Sequence, residues 1–284
     1  MDFKKITIIG VGLIGSSLAL ALRKKGYKGT ITGLGRSEET LKMAKELEII
    51  DDYSTVHAEG VKDADLVVLA SSVALFMQII VNIRDHLKKG AIVTDVGSVK
   101  GDVLRTLTPL MPEGVRFVAG HPIAGRECSG VKCATDDLFE NAKCIITPDA
   151  ATDEDALSQI KELWELTGAQ VVIMPSEEHD LTFAAVSHLP HVVSYSLINS
   201  ILDIDGKILR YGGGGLRDFT RIALSSPSMW RDICAHNRND VLKTLKTFSS
   251  SLSRMISFVE ESDWEGLEKE FTRAQEARKL IESD

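Results

Sequence analysis

The sequence predicts two domains, an α/β domain with a parallel sheet over residues 1–175 and an all-helical domain over residues 176–284. Short apolar runs of strand length alternate with amphipathic helical segments up to Pro175, a pattern typical of a parallel sheet with helices on both faces. Beyond Pro175 the pattern is helical and no strand-like run follows. A length of 284 residues also suits two domains better than one.

The first domain alternates strand-like runs with helical segments. The strand-like runs are short and apolar, and they cover residues 5–9, 30–34, 66–70, 91–96, 117–119, 144–147 and 171–174. The helical segments cover residues 13–25, 38–47, 73–87 and 153–166. Gly26 ends the first of these helices, and Ser37 is a good N-cap for the second.

The second domain is predicted to consist of long helices. A helix over 176–203 is bent at Pro190, a glycine run at 212–215 interrupts the pattern, and Ser226 and Pro227 begin another helix as N-cap and first-turn proline. Helical periodicity continues to Glu260, and a final helix covers about 263–281. These helices have more apolar faces than one small bundle buries, which favours a homodimer through the helical domain. The alternative is a monomer whose helices pack on the sheet domain.

Composition argues against several classes of protein. The chain is 44% hydrophobic and 26% charged, which is ordinary for a globular protein, and its formal net charge is −8. We find no basic stripe for nucleic acid, no apolar run near the roughly 20 residues that span a bilayer, and no signal-peptide pattern. We therefore expect a cytoplasmic protein without nucleic-acid or membrane partners. Its cysteines form no C-x-x-C pair and are expected to be reduced: Cys128, Cys133, Cys144 and Cys234.

A glycine-rich turn of the G-x-G-x-x-G type follows the first strand. Gly10 allows the tight turn, Gly12 lets the backbone approach a pyrophosphate, and Gly15 permits close packing of helix on strand. The helix that begins with Leu13 and Ile14 offers free N–H groups and a partial positive charge to phosphates. Because the turn opens a βαβ unit, it predicts a Rossmann-type domain that binds NAD or NADP. A glycine turn without a ligand is the alternative.

The end of the second strand bears on the choice of cofactor. An acid about twenty residues after the turn would bind the ribose 2′-hydroxyl of NAD, but the sequence has Gly35 there, followed by Arg36 and Ser37. Arginine and serine are residue types that hold a 2′-phosphate, which favours NADP. If Arg36 is only solvated and Ser37 only caps the helix, NAD is acceptable. Ser71, which follows the 66–70 strand, is expected at the same cofactor site.

Several strings outside the turn are unusual in composition. They are DVGSVK at 95–100, GHPIAGRE at 120–127, SHLPH at 187–191, GGGGLRDFTRIA at 212–223 and MWRD at 229–232. In this order and spacing, together with the glycine turn, they resemble the prephenate dehydrogenase family of tyrosine biosynthesis, which includes arogenate and cyclohexadienyl dehydrogenases. The resemblance covers essentially the whole chain, and it implies a Rossmann-type domain followed by an all-α dimerisation domain.

The resemblance implies oxidative decarboxylation of prephenate to 4-hydroxyphenylpyruvate, with hydride transfer to NAD(P). His121 follows a predicted strand at its carboxyl end, where ligands of open α/β sheets bind, and is expected to take the hydroxyl proton as hydride departs. By resemblance, Ser98 hydrogen-bonds the hydroxyl or the histidine. The alternatives are a histidine that only anchors its loop and a serine that only caps the following helix.

The resemblance also points to substrate-binding residues. A guanidinium binds a carboxylate as a two-pronged fork, so Arg221 is the candidate for the ring carboxylate. Arg217 stands where the family often carries lysine and is a further candidate. Asp218 and Glu127 are candidate acidic partners of these arginines. For Arg217 and Asp218, a solvated surface ion pair is an equal alternative.

Two further features concern the site in the helical domain. Trp230 resembles a residue of the site wall, although a tryptophan on an amphipathic helix is usually core. His188 and His191 could form a metal pair at i, i+3, but no acid or cysteine cluster completes a ligand set and Pro190 disturbs the helix. We therefore expect no metal. Substrate contact or hydrogen bonding at the helix bend is expected instead, with His188 the better candidate for the substrate site.

Other functions fit less of the sequence. Arogenate dehydrogenase or a dual-specificity cyclohexadienyl dehydrogenase would accept an alanyl side chain, whose ammonium Glu127 could bind, but the neighbouring Arg126 favours prephenate. A β-hydroxyacid or imino-acid reductase shares the layout without explaining GHPIAG or DFTR. A catalytically silent dinucleotide sensor would have no reason to keep His121, Ser98 and Arg221 together.

Overall fold

The structure of the protein is a computed structural model that describes residues 3–126 and 128–282. By its internal packing the chain divides into two compact units, Met1–Arg238 and Asn239–Asp284. The boundary predicted near residue 175 marks a change from strands to helices and not a division by packing. It stays a prediction.

Strands occur only in the first unit among the described residues. They are β1 (Lys5–Ile9), β2 (Thr30–Leu34), β3 (Asp52–Ser54), β4 (Leu66–Leu69), β5 (Ile92–Asp95), β6 (Arg116–Val118), β7 (Gly120–Pro122), β8 (Lys143–Ile146) and β9 (Gln170–Ile173). Every predicted strand is present within a residue or two of its expected bounds. The short strands β3 and β7 were not predicted.

The α-helices described in the chain are α1 (Leu13–Lys24), α2 (Glu38–Glu46), α3 (His57–Val61), α4 (Phe76–Ile83), α5 (Gly101–Leu107), α6 (Glu154–Leu166), α7 (Ser176–Phe183), α8 (Leu189–Asp205), α9 (Gly214–Thr220), α10 (Pro227–His236), α11 (Arg238–Glu260) and α12 (Trp264–Arg278). Side-chain caps fix several N-termini, because each cap oxygen accepts a hydrogen bond from a free N–H of the first turn. Ser37 caps α2, Asp153 caps α6 and Ser226 caps α10.

Six strands form a parallel sheet in the order β3-β2-β1-β4-β5-β6. This is the order of a Rossmann-type domain, and it confirms the predicted fold class. Ile9 pairs with Leu34 on one side and Leu69 on the other, so the carboxyl ends of β1, β2 and β4 meet at one edge. The strand order reverses between β1 and β4, and ligands of such sheets bind at that point.

The remaining strands form a second sheet, in the order β7-β8-β9. β7 is antiparallel to β8, while β8 and β9 are parallel. The prediction of a single parallel sheet is therefore wrong for these strands. The chain leaves the first sheet at Ala119 and enters the second at Gly120, and the three residues of β7 are too few to show strand periodicity.

Both faces of the six-stranded sheet are covered by apolar side chains. Successive residues of a strand point to opposite faces, so Leu66 and Val68 belong to one core cluster and Val67 and Leu69 to the other. This is why the strands of the domain read as continuous apolar runs.

The predicted helix over 176–203 is present as α7 and α8, joined by a π-helical turn at Ala184–His188. Pro190 stands at the start of α8, and its missing N–H suits that position. The described buried side chains of this stretch are mostly polar, and they include His179, Asp180 and His188.

Several apolar side chains of the same stretch are exposed, and most of the others are only partly buried. Val186 and Ile204 are 65% and 76% exposed. By length and mean hydropathy alone, the helical segment Ser176–Tyr211 is long and apolar enough to cross a membrane. This corrects the expectation that no apolar stretch of the chain approaches the length needed to span a bilayer. No uninterrupted apolar run marks this segment, because serine, histidine and proline are interspersed among its apolar residues.

The second unit contains α12 and all of α11 after its first residue. Its described large apolar side chains include several that are exposed: Phe248, Leu252, Ile256, Val259, Trp264 and Phe271.

Candidate active site

Three glycines shape the turn that follows β1. Gly10 has a φ of 101°, and a Cβ on it would lie 2.6 Å from the carbonyl oxygen of Ala70. A Cβ on Gly15 would lie 2.5 Å from the carbonyl oxygen of Gly10. A Cβ on Gly12 would have no heavy atom of the described structure within 4 Å. The turn is therefore tightly packed at Gly10 and Gly15 and open at Gly12.

The open side of this turn has the chemistry of a pyrophosphate site. α1 begins at Leu13 with Gly12 as its N-cap, and the N–H groups of the first turn, including that of Ile14, have no helical partner. Ser71 follows β4, and its buried hydroxyl has no hydrogen-bond partner among the described residues. The exposed backbone at Gly12, the free N–H groups at the start of α1 and the unpaired Ser71 hydroxyl together suit the phosphates of a dinucleotide.

The residues after β2 lie beside this turn, since the N–H of Gly10 donates to the carbonyl of Leu34 at 2.9 Å. Gly35 is half-buried, whereas Arg36 and Ser37 are exposed. The Ser37 hydroxyl accepts a hydrogen bond from the Thr40 N–H at 3.2 Å, so its capping role is real. Arg36 makes no ion pair with the residues that the structure describes, and its guanidinium is available to an anion.

His121 lies in β7 and is only 9% exposed. Its Nδ1 is 2.8 Å from Nε2 of His179, and Nδ1 of His179 is 2.8 Å from Oδ1 of Asp180. The Asp180 carboxylate also accepts the backbone N–H groups of Lys100 and Gly101, at 2.8 and 2.9 Å. His121 is thus the first member of a buried chain of three hydrogen-bonded side chains.

Burial sets the protonation of this chain. It lowers the pKa of His121 well below 6.5, and the charges of His179 and Lys100 act in the same direction. Burial also lowers the pKa of His179, although the hydrogen bond to Asp180 opposes it. Burial alone would raise the pKa of Asp180, but hydrogen bonds from His179 and from two backbone N–H groups outweigh it and leave the pKa below its usual value. Both imidazoles are therefore neutral near pH 7 and the carboxylate is ionised.

A buried ion pair holds the backbone around this chain. Lys100 and Asp95 are in contact and neither side chain is exposed. The Lys100 ammonium donates to the carbonyl of Gly120 at 2.6 Å, and the Asp95 carboxylate accepts the N–H of Gly97 at 2.8 Å. The pair therefore ties the turn that carries Ser98 to the strand that carries His121.

His188 reaches the same region from the π-helical turn. Its Nδ1 is 3.3 Å from Nδ2 of Asn237, which also donates to the carbonyl of Asp180 at 2.8 Å. Its Nε2 is buried and has no hydrogen-bond partner among the described residues. Burial lowers the pKa of His188 to about 4, while Asp180 and the backbone of Ser98 act against that shift. This imidazole is neutral near pH 7.

Trp230 packs beside His188 on the helical side. Its ring stacks on His191 with centroids 3.5 Å apart and contacts His188 edge-on at 5.9 Å. The indole is buried with Val99 and Ile233, so the core role is real. Its Nε1 has no partner among the described residues, and this buried donor suits a polar ligand.

The candidate arginines lie on and after α9. Arg221 is exposed, and its charge is close enough to His191 to lower the pKa of that imidazole, after the larger effect of burial. Arg217 and Asp218 are exposed on α9, and no described contact joins their side chains to the His121 chain. Glu127 lies outside the described residues.

His188 and His191 stand at i, i+3, a spacing that metal ligands can have. Among residues 3–126 and 128–282, no group of three or more histidine, cysteine or acidic side chains is arranged to hold a metal ion. His191 instead uses Nδ1 to contact the carbonyl of Ser187 at 2.9 Å.

Comparison with known proteins identifies the family. Residues 18–173 match the model of the prephenate dehydrogenase nucleotide-binding domain, and residues 175–273 match the model of the prephenate dehydrogenase dimerization domain. Prephenate dehydrogenase of Bacillus subtilis is 37% identical over 96% of this chain and 75% of its own length. The chain belongs to the prephenate dehydrogenase family.

Two further relatives support membership of the prephenate dehydrogenase family. Cyclohexadienyl dehydrogenase of Zymomonas mobilis is 35% identical over 99% of this chain and 97% of its own. The crystal structure of Aquifex aeolicus prephenate dehydrogenase, in complex with hydroxyphenyl propionate and NAD⁺, is 37% identical and superposes with a TM-score of 0.93 over 99% of both chains. The protein is thus an oxidoreductase with a nicotinamide dinucleotide cofactor, and the reductase and silent-sensor alternatives are set aside.

Sequence reasoning missed the residues that support His121. His179, Asp180 and Asn237 were not singled out, although all three are buried and polar. Asp95 and Lys100 lie in the DVGSVK string, but only its serine was given a role. For His179 and Asp180 the sequence offers only a weak signal, two adjacent polar residues seven residues before the SHLPH string, and nothing in it points to His121.

Proposed function

We propose that the protein oxidises and decarboxylates prephenate, giving 4-hydroxyphenylpyruvate and CO₂ in the synthesis of tyrosine. The observation that carries this proposal is the placement of His121. It is a buried, neutral imidazole in the strand that follows the six-stranded sheet, and one of its nitrogens is held by His179. The other nitrogen makes no hydrogen bond to the described residues and is available to a substrate hydroxyl.

In the proposed reaction the main task of the protein is to position the substrate hydroxyl against His121. The glycine turn after β1 and Ser71 would hold a nicotinamide dinucleotide, which would supply the acceptor for the hydride that leaves C4 of the substrate. His121 accepts a hydrogen bond from the 4-hydroxyl and draws its proton as positive charge develops at C4. When CO₂ leaves C1, its bonding electron pair makes the ring aromatic, and the proton returns to the phenolic oxygen. No net proton is gained or lost by His121.

Other residues are proposed to hold the substrate around this histidine. Ser98 lies on the turn tied to His121 by the buried ion pair, and its hydroxyl is proposed to share the hydrogen bond of the substrate hydroxyl. Arg221 is proposed to bind the ring carboxylate through its guanidinium fork. His188 and Trp230 each present a buried nitrogen without a described partner, and they are proposed to line the pocket.

Prephenate is proposed over arogenate because of charge. The two substrates differ in a pyruvyl or an alanyl side chain, and the ammonium of the second favours a nearby acid. Arg126 stands beside Glu127 in the GHPIAGRE string and forms an ion pair with Asp137 at 3.6 Å. A cation at this position favours the side chain without an ammonium.

We further propose that NADP is preferred over NAD. Gly35 replaces the acid that would bind a ribose 2′-hydroxyl, and Arg36 is exposed beside it. The related Aquifex aeolicus structure holds NAD⁺, so this preference would set the protein apart from that relative. Arg36→Ala is the matched test, because loss of the cation weakens NADP binding and leaves NAD binding unchanged.

The functional experiment crosses two substrates with two cofactors. Purified protein is mixed with prephenate or arogenate and with NAD or NADP, and the absorbance of the reduced nicotinamide is followed. We expect the highest kcat/KM with prephenate and NADP. Rapid reduction with arogenate only would overturn the proposed substrate, and a higher kcat/KM with NAD would overturn the proposed cofactor. No reduction in any mixture, from protein that binds dinucleotide, would overturn the reaction itself.

We also propose a homodimer in the cytoplasm. The exposed apolar side chains of Ser176–Tyr211 would be covered by a second copy, which suits a segment that matches the family's dimerization domain. Free thiols at the described cysteines would suit a reducing compartment. Sedimentation equilibrium tests the first point, since we expect twice the mass of 31.0 kDa.

A further inference from the structure

The chain from His121 to Asp180 fixes where each of its protons lies. The Asp180 carboxylate is ionised and already accepts two backbone N–H groups, so it can only accept from His179. Nδ1 of His179 therefore carries a hydrogen and donates it to Asp180 across 2.8 Å.

The same reasoning continues to His121. A neutral imidazole has one N–H and one lone pair, so Nε2 of His179 is an acceptor once its Nδ1 donates. Nδ1 of His121 lies 2.8 Å from that acceptor and must be the donor. The opposite tautomer of His121 would place two lone pairs face to face at this distance. Nε2 of His121 is thus left with a free lone pair.

We propose that His179 and Asp180 are positioning residues that hold His121 in the tautomer protonated at Nδ1, so that Nε2 is the atom that meets the substrate hydroxyl. The role of this tautomer in turnover rests on the proposed function, whereas the tautomer itself is a property of the resting protein. As the hydroxyl proton is drawn to Nε2, the charge that develops on His121 is stabilised through both hydrogen bonds by the Asp180 carboxylate.

Other charged and titratable groups also face this chain. Lys100 and His188 act on His121 against the charged imidazolium, and Asp95 acts on His179 in its favour. All three belong to other segments and stay in place in the variants below. Phe183 packs on both rings, with centroids 5.0 Å from His121 and 4.6 Å from His179, and it contributes no hydrogen bond from its side chain.

This geometry supplies a matched set of variants. His179→Gln keeps a carbonyl acceptor within reach of His121, whereas His179→Leu removes it. Asp180→Asn removes the negative charge but keeps an oxygen toward His179, because the same Oδ1 also accepts the backbone N–H of Lys100. Phe183→Leu disturbs the packing of the same rings without touching the hydrogen bonds.

We expect kinetic effects on kcat rather than on KM. Loss of a tautomer-fixing partner costs on the order of 100-fold or more in kcat, so His179→Leu should fall by that much with prephenate, whereas Asp180→Asn, which loses the charge but keeps the tautomer, should fall by less. His179→Gln should recover to within about tenfold of the parent, and Phe183→Leu should stay within about threefold. A kcat for His179→Leu equal to that of Phe183→Leu would overturn the positioning role. Dinucleotide affinity, measured for each variant, reports that the fold is intact.

The decisive measurement needs no turnover. In the full-length protein with bound dinucleotide and ¹⁵N-labelled histidine, the Nε2 resonance of His121, assigned by its loss in His121→Asn, should be that of an unprotonated nitrogen. In His179→Leu the acceptor of Nδ1 is lost, and the Nε2 resonance of His121 should move toward that of a protonated nitrogen. A protonated Nε2 in the parent protein would overturn the inference even if prephenate is consumed. The expected tautomer in a protein that consumes no prephenate would support the inference and overturn the proposed function.

Discussion

Lys100 and Asp95 form an ion pair that solvent does not reach, at the carboxyl end of β5. Moving two charges out of water costs several kcal/mol each, and their attraction offsets this only when the remaining hydrogen bonds are also made. Both charges make such hydrogen bonds here. The Lys100 ammonium donates to the carbonyl of Gly120, and the Asp95 carboxylate accepts from the N–H groups of Gly97 and Gly120. Burial raises the pKa of Asp95 and lowers that of Lys100, and the contact between them opposes both shifts. Each partner therefore depends on the other.

The first prediction concerns the stability that this pair controls. Lys100→Met leaves a buried carboxylate without its cation, and we expect the free energy of unfolding to fall by about 3–5 kcal/mol. Urea denaturation at fixed protein concentration measures the change. The double variant Lys100→Met/Asp95→Leu should recover part of the loss, since no buried charge is then unpaired.

An exposed pair provides the control for this experiment. Lys42 and Glu38 are 3.0 Å apart at i, i+4 on α2, and both side chains are more than half exposed. Lys42→Met should change the free energy of unfolding by less than about 0.5 kcal/mol. Equal losses for Lys42→Met and Lys100→Met would show that burial of the second pair has no energetic consequence.

The second prediction separates two glycines of the turn after β1. Gly12→Ala places a methyl group in open space, so the fold should keep its stability while the affinity for the dinucleotide falls about tenfold or more, because the backbone no longer reaches the phosphates. Gly10→Ala puts a methyl group against the Ala70 carbonyl at a φ of 101° and should lose stability as well as affinity.

Calorimetry and thermal unfolding together test this distinction. Titration with NAD and NADP gives the dissociation constants, and the melting temperature without ligand reports the fold. A Gly12→Ala protein that binds dinucleotide as the parent does would remove the turn from the cofactor site.

The third prediction is a loss of stability in acid that arises from buried histidine. The pKa of His188 is about 4 in the folded protein against 6.5 in the unfolded chain, so the unfolded state binds the proton more readily. The stabilising contribution is fully present above pH 6.5 and is lost as the pH falls from 6.5 toward 4. At about 1.4 kcal/mol for each pKa unit, His188 contributes on the order of 3 kcal/mol. His121 and His179 act in the same direction.

Urea denaturation between pH 7.5 and 4.5 measures this dependence. In His188→Gln the free energy of unfolding should vary less with pH than in the parent, because one titrating group has gone. His86→Gln, a change at an exposed histidine, should keep the parent's dependence. A parent protein equally stable at pH 7.5 and pH 5 would contradict the depressed pKa values.

The limits of the sequence are visible at particular residues. Ser37 and Ser226 could be assigned as caps because capping is decided within four residues. β7 could not be predicted, because Gly120, His121 and Pro122 become a strand only by pairing with β8, which lies more than twenty residues further along the chain. In both domains the buried apolar residues could be predicted from hydrophobic periodicity, because the buried face of a strand or helix repeats at regular intervals along the sequence.

The candidate site shows the same division between local and distant determinants. His121 was found because it stands in a distinctive string at the end of a strand. Its partner His179 is 58 residues away and opens no motif of its own. The two become neighbours only when α7 packs beside α5, where the Asp180 carboxylate takes the free backbone N–H groups at the start of α5. No spacing in the sequence encodes that contact.

The last prediction concerns Arg221, which follows α9 near His191. If its guanidinium binds a substrate carboxylate, Arg221→Gln removes a charge-assisted hydrogen-bonded partner worth about 1.5–3 kcal/mol, and KM for prephenate should rise on the order of 10–100-fold. Steady-state kinetics give KM, and titration gives dinucleotide affinity, which should not change. Arg217→Gln is the matched control, since Arg217 is an exposed arginine on α9 one turn earlier, and its KM should rise several-fold at most. An effect of Arg221→Gln confined to the dinucleotide would place this arginine at the cofactor instead, and the ring carboxylate would then need another cation.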